Sequence, residues 1–118
     1  LHAVPQAHVD FLKGLQLTHT AGELMFVHAG IRPGVPLDQQ TEEDMLWIRQ
    51  EFHNHTGPHP KLIVHGHTPV KVATHYGNRV NLDTAAGYGE PLSAAVFERD
   101  KVWTLTPDGR QPLTPSAG

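Results

Sequence analysis

Apolar positions recur at two spacings along this chain. From Pro5, Val9, Leu12 and Leu15 follow at steps of three, which predicts a short helix with Pro5 in its first turn and Gly14 as its stop. Leu15, Leu17 and His19 then alternate, and Leu24 to Val27 form an unbroken apolar run. With a turn at Ala21-Gly22 between them, these predict two strands, the second of them central. IRPGVPLDQQ holds two prolines and a glycine and reads as a loop. Thr41 and Asp44 have the spacing of a capping box, so a helix of about three turns is predicted over TEEDMLWIRQEF. Met45, Ile48 and Phe52 share one face of that helix, and Arg49 falls on the same face, where a cation needs an anionic partner or ligand. Strands are predicted at KLIVHG, at VKVATHY and RVNLD around a Gly77-Asn78 turn, and at LSAAVFERD and KVWTLTP around Asp100. The tail DGRQPLTPSAG is polar and predicted to fray. One domain over residues 1–106 with a flexible tail over 107–118 is therefore expected, without repeat, linker or low-complexity block.

Composition narrows the function more by exclusion than by pointing. A chain of 118 residues holds one modest core. The net charge of −3 and the lack of a basic stripe argue against nucleic acid, and no apolar run is long enough for a membrane helix. The absence of cysteine removes disulfides and thiolate metal sites and fits a reducing cytoplasm. No secretory signal begins the chain, and Leu1 in place of methionine suggests a segment of something longer. Ten histidines are the one excess, although His53, His55 and His59 lie in the polar stretch EFHNHTGPHP, where solvated side chains are the plain expectation.

Chemistry enters where two apolar runs end alike, FVHAG at His28 and LIVHGHTP at His67. A strand end fixes the direction of an imidazole while leaving it accessible, and a neutral imidazole is a good ligand for zinc, iron or manganese. Adjacent glycines allow backbone or a ligand to approach closely. Taken singly, each pattern also describes a hydrogen-bonded core histidine.

FVHAG, MLWIR, VHGHTPV and NLDTAAGYG, in this order and spacing, resemble the C-terminal half of bacterial serine/threonine protein phosphatases of the calcineurin-like metallophosphoesterase superfamily. The resemblance runs from about Pro5 to Thr106. It implies a partial αββα sandwich, α/β (α+β) in class, predominantly β with two helices covering the sheet. It further implies that His28 and His67 bind one metal of a dinuclear centre, with manganese the usual ion and iron or zinc as alternatives, and that Arg49 contacts substrate phosphate. His65 is expected to be packed or to support a ligand from behind. Asp83 is expected either to orient a ligating imidazole or to organise the turn after its strand. His19 and His75 read as strand residues facing solvent or a neighbour.

The departure from the family is large. Its GDxHG, GDxxDRG and GNH(E/D) segments are missing, since the chain has no Gly-Asp pair and its Gly77-Asn78-Arg79 lacks the histidine. The expectation is a C-terminal segment whose full-length parent hydrolyses phosphomonoesters of phosphoproteins by a two-metal mechanism, with diadenosine tetraphosphate hydrolysis or an inactive binding domain as alternatives. By itself the chain is expected to be inactive and to self-associate, because the strand bearing His28 would lack neighbours.

Overall fold

The computed structural model describes residues 4–99 and 101–115. Helix α1 (Gln6–Lys13) is followed by strands β1 (Thr18–Ala21) and β2 (Leu24–Val27). Next come helices α2 (Glu42–Trp47) and α3 (Gln50–His53), then strands β3 (Leu62–His65), β4 (Thr74–His75) and β5 (Arg79–Asn81). A hairpin of β6 (Ala95–Glu98) and β7 (Lys101–Thr106) leads to β8 (Gly109–Pro112). The fold is thus mixed α/β and mostly strand with few helices, as expected from the sequence.

Five strands form one sheet in the order β1-β2-β3-β5-β4, with β2, β3 and β5 mutually parallel and the outer two antiparallel to their neighbours. The alternation of β2 decides the layers. Met25 and Val27 are buried with Ala29, Ile31, Ile48, Phe52 and Ile63 in one core, and Leu37 and Met45 pack against it. Phe26, on the opposite face, meets Phe97 of the antiparallel β6-β7-β8 sheet edge-on at 5.7 Å between ring centres. The central strands are therefore covered on both sides, which is why they read as continuous apolar runs.

Four expectations are corrected. The helix over 41–52 is two helices, because Ile48 is extended at φ −59° and ψ 145°. The carbonyl of Met45, which a continuous helix would bond to the Arg49 N–H, instead accepts the N–H of Ala29 at 2.8 Å. A tertiary hydrogen bond thus replaces a helical one, and both Ile48 and Phe52 still reach the core. Second, α1 forms as predicted but buries none of its residues, so it does not cover the sheet. Third, the tail does not fray as far as Pro115. Residues 109–112 pair with β7, the Leu113 N–H bonds to the Val102 carbonyl, and Pro115 bridges to His75 on the outer strand β4. Polar side chains marked it as a tail, but its pairing uses backbone groups that any sequence carries. Fourth, β2 is no edge, since β1 supplies the neighbour expected to be missing. The predicted turn at Asp100 and the last three residues of the tail lie outside the described residues.

Candidate functional site

Parallel pairing of β2 with β3 brings the residues after each strand to one edge of the sheet. Open α/β sheets bind ligands at the carboxyl ends of parallel strands, because the loops leaving that edge can converge. Here His28 and His67, 39 residues apart in sequence, face each other with His28 Nε2 3.1 Å from His67 Nδ1. Their ring centres are 4.9 Å apart, inclined at 60°. His28 is exposed and His67 half-buried. His67 has φ +69°, a left-handed conformation costing a non-glycine residue about 1–3 kcal/mol.

Two ligand nitrogens on one ion, each about 2.1 Å from it, stand about 3.0 Å apart at a right angle and about 3.4 Å at a tetrahedral one. The observed separation, which is that of a hydrogen bond between the two rings, lies between these and is compatible with two adjacent positions on a single divalent ion. Burial lowers the pKa of His67, with the nearby charges of His28 and Arg49 acting in the same direction and Asp83 opposing them. The shift favours the neutral form of His67, the form that donates a lone pair. The donor count is the limit. Among the described residues no group of three or more histidine, aspartate or glutamate side chains is gathered for a metal.

Arg49 emerges at the break between α2 and α3. It does not share the apolar stripe with Met45 and Phe52, as the sequence led us to expect, and is exposed. Its charge nonetheless lies close enough to depress the pKa of both His67 and His53. Trp47, just before the break, was not singled out by sequence reasoning. Its indole stands edge-on to His67 at 5.7 Å while two-thirds exposed. Its place in MLWIR, two residues before Arg49, was the available signal.

Asp83 makes the turn contact that one of its two expected roles involves. Its Oδ1 accepts the Ala85 N–H at 3.0 Å and so organises the turn after β5. His67 Nε2 is buried without a hydrogen-bond partner among the described residues. His65 is packed, as one of its readings required: it is buried, edge-on to Phe52 at 4.8 Å and stacked on His53 at 5.9 Å. Burial pushes its pKa down to about 3. Arg79 Nη1 donates to His65 Nε2 at 3.0 Å. Sequence reasoning missed this buried arginine, because a cation following a Gly-Asn turn looks solvent-facing. His75 is also buried, with Nδ1 accepting the Gly77 N–H at 3.0 Å, whereas His19 stays exposed on β1.

A cleft of about 920 Å³ lies elsewhere, at the amino ends of β2 and β3 against β7. It is lined by Leu24, Lys61, Tyr76, Lys101 and Trp103 among others and touches neither His28 nor His67. The candidate site is assigned by the converging imidazoles and not by cavity size.

No family model matches this chain, and no curated protein does. Among solved structures, a crystal structure of a candidate diadenosine tetraphosphatase matches at TM-score 0.64 and 19% identity, covering 99% of this chain and 59% of that one. At such identity the likeness is one of fold. The chain spans less than two-thirds of the length of that protein.

Proposed function

We propose that this chain contributes to a metal-dependent phosphoesterase site, in which His28 and His67 hold one divalent ion and Arg49 binds the substrate phosphate. The observation that carries this reading is the 3.1 Å approach of His28 Nε2 to His67 Nδ1 at the carboxyl edge of parallel strands. A divalent ion bound there would supply Lewis-acid activation of a phosphate ester. The chain's own residues bind and orient: two imidazoles set the position of the ion, and the guanidinium of Arg49 offers a planar fork to phosphate oxygens. Two neutral imidazoles bring no charge to offset a divalent cation, so the remaining donors come from carboxylates outside this set, and a second ion belongs to the complete protein alone. Manganese is the proposed ion, with iron or zinc as alternatives.

The substrate is a phosphoprotein ester or a small phosphoester, in a cytoplasmic protein without nucleic-acid or membrane partners. Among the described residues no helix is long and apolar enough to cross a membrane. The VHGHTP and MLWIR segments favour phosphoserine and phosphothreonine, whereas the name of the structural neighbour favours diadenosine tetraphosphate. Steady-state assays of the complete protein with manganese decide between them. A phosphopeptide turned over with higher kcat/KM than diadenosine tetraphosphate supports the phosphatase reading. The reverse order selects the dinucleotide, and inactivity on both with His28 and His67 intact rejects phosphoesterase function.

A further inference from the structure

Gly66, which precedes His67, is held from several sides. Its oxygen, the Gly66 carbonyl, accepts the Thr68 N–H at 2.8 Å and closes a three-residue turn with His67 at its centre at φ +69°. A γ-turn with positive φ at its centre is rare and strained, and such strain persists only where the surroundings enforce it. The same oxygen lies 3.2 Å from His65 Nδ1. The Gly66 N–H donates to the His28 carbonyl at 2.8 Å, and a side chain at Gly66 would meet Asp83 Cβ at 3.3 Å.

His65 links this turn to Arg79. A guanidinium only donates and a carbonyl only accepts, so contacts of Arg79 Nη1 with Nε2 and of Nδ1 with the Gly66 oxygen allow a single tautomer, protonated at Nδ1. Arg79 is itself fixed. It is 6% exposed, its guanidinium lies 3.8 Å from the Tyr76 ring centre and 5.5 Å from that of Phe52, and no carboxylate among the described residues pairs with it. A carboxylate in its place would draw the proton to Nε2 and turn a lone pair toward the Gly66 oxygen.

We propose that Arg79 is a positioning residue for the His28–His67 pair: by fixing the His65 tautomer it clamps the Gly66 carbonyl and keeps His67 in the strained turn that aims Nδ1 at His28. Its functional meaning rests on the reading of that pair as ion ligands.

Long-range proton–nitrogen NMR of the 118-residue chain near neutral pH, without metal, reads each imidazole tautomer, and amide exchange reads the Thr68 N–H. Wild type is expected to show His65 protonated at Nδ1 alone. Arg79→Met keeps bulk but cannot donate. It is expected to release His65 into mixed tautomers and to speed Thr68 exchange about five- to tenfold, the worth of one hydrogen bond. The Leu82 N–H, which bonds the His65 carbonyl across β3 and β5, is expected to exchange as in wild type. His65→Asn, whose amide can donate near the position of Nδ1, should keep Thr68 slow while His65→Phe releases it, a comparison that stands even if Arg79→Met does not fold. An unchanged His65 tautomer in Arg79→Met overturns the proposal. So does acceleration of Thr68 and Leu82 together, which would make Arg79 a general stabiliser, or equal exchange in the two His65 variants. A zinc titration of wild type tests the ligand reading separately: intact coupling with no response at His28 and His67 removes that reading and leaves the positioning contact standing.

Discussion

A methyl group on Gly30 would sit 2.3 Å from the Phe52 ring, at a φ of +150° that side chains rarely adopt. Gly30→Ala must therefore displace the ring that fills the core between α3 and β3, and a loss of about 1–3 kcal/mol in urea unfolding is expected. Two residues before it, His28 has an exposed ring, so the glycine serves packing while the histidine serves the site. Arg49 has the opposite profile. Its exposure leads us to expect Arg49→Ala to unfold within about 0.5 kcal/mol of wild type while phosphate binding or turnover in the complete protein falls. Wild-type kinetics in that variant would return Arg49 to an ordinary surface role. At this scale the histidines were legible because apolar runs deliver them to strand ends, a local pattern. Arg79 was not, because its burial comes from Phe52, Tyr76 and His65, which converge only once β3 and β5 pair.

Among the elements, β2 and β3 were visible as apolar runs, and the N-terminal cap of α2 was half visible. Thr41 Oγ1 accepts the Asp44 N–H at 3.2 Å, but the Asp44 carboxylate, instead of closing the capping box, accepts two bonds from Arg32 at 2.8 and 2.9 Å. The break after Trp47 was hidden, since Met45, Ile48 and Phe52 suit one continuous helix equally well. It follows from the bond between Ala29 and Met45, a contact that spacing cannot report. Strand β8 was hidden for a related reason, as its four residues are all exposed and have no apolar alternation. Its role is nevertheless measurable. Truncation after Thr106 would strip one side of β7 and the Pro115 bridge from β4, so a lower urea midpoint and faster amide exchange in β7 are expected. Unchanged exchange in β7 would restore the flexible-tail reading.

Across the whole molecule, neutral imidazoles link stability to pH. The folded pKa of His65 is lowered by burial from 6.5 to about 3, so between these values the unfolded chain binds more protons than the folded one. The stability that depends on a neutral His65 is complete above pH 6.5 and falls by about 1.4 kcal/mol per unit as pH drops toward 3. Burial depresses His53, His59 and His75 in the same direction. Urea unfolding is expected to show a loss of about 2 kcal/mol by pH 5 from His65 alone, and a flat profile would contradict its burial. The exposed side chains of Phe11, Leu12 and Leu15 form an uncovered apolar surface on and beside α1, and concentration-dependent self-association in sedimentation is expected from it. With only two imidazole donors, this chain is expected to hydrolyse p-nitrophenyl phosphate with manganese no faster than its His28→Ala, His67→Ala double variant. The most direct test of a shared ion is a zinc titration followed through the imidazole nitrogen resonances. His28 Nε2 and His67 Nδ1 are expected to shift together along one binding curve, and His28→Ala or His67→Ala alone to abolish the response of the other ring. Independent curves for the two rings, or a response that survives in either single variant, would contradict a shared ion.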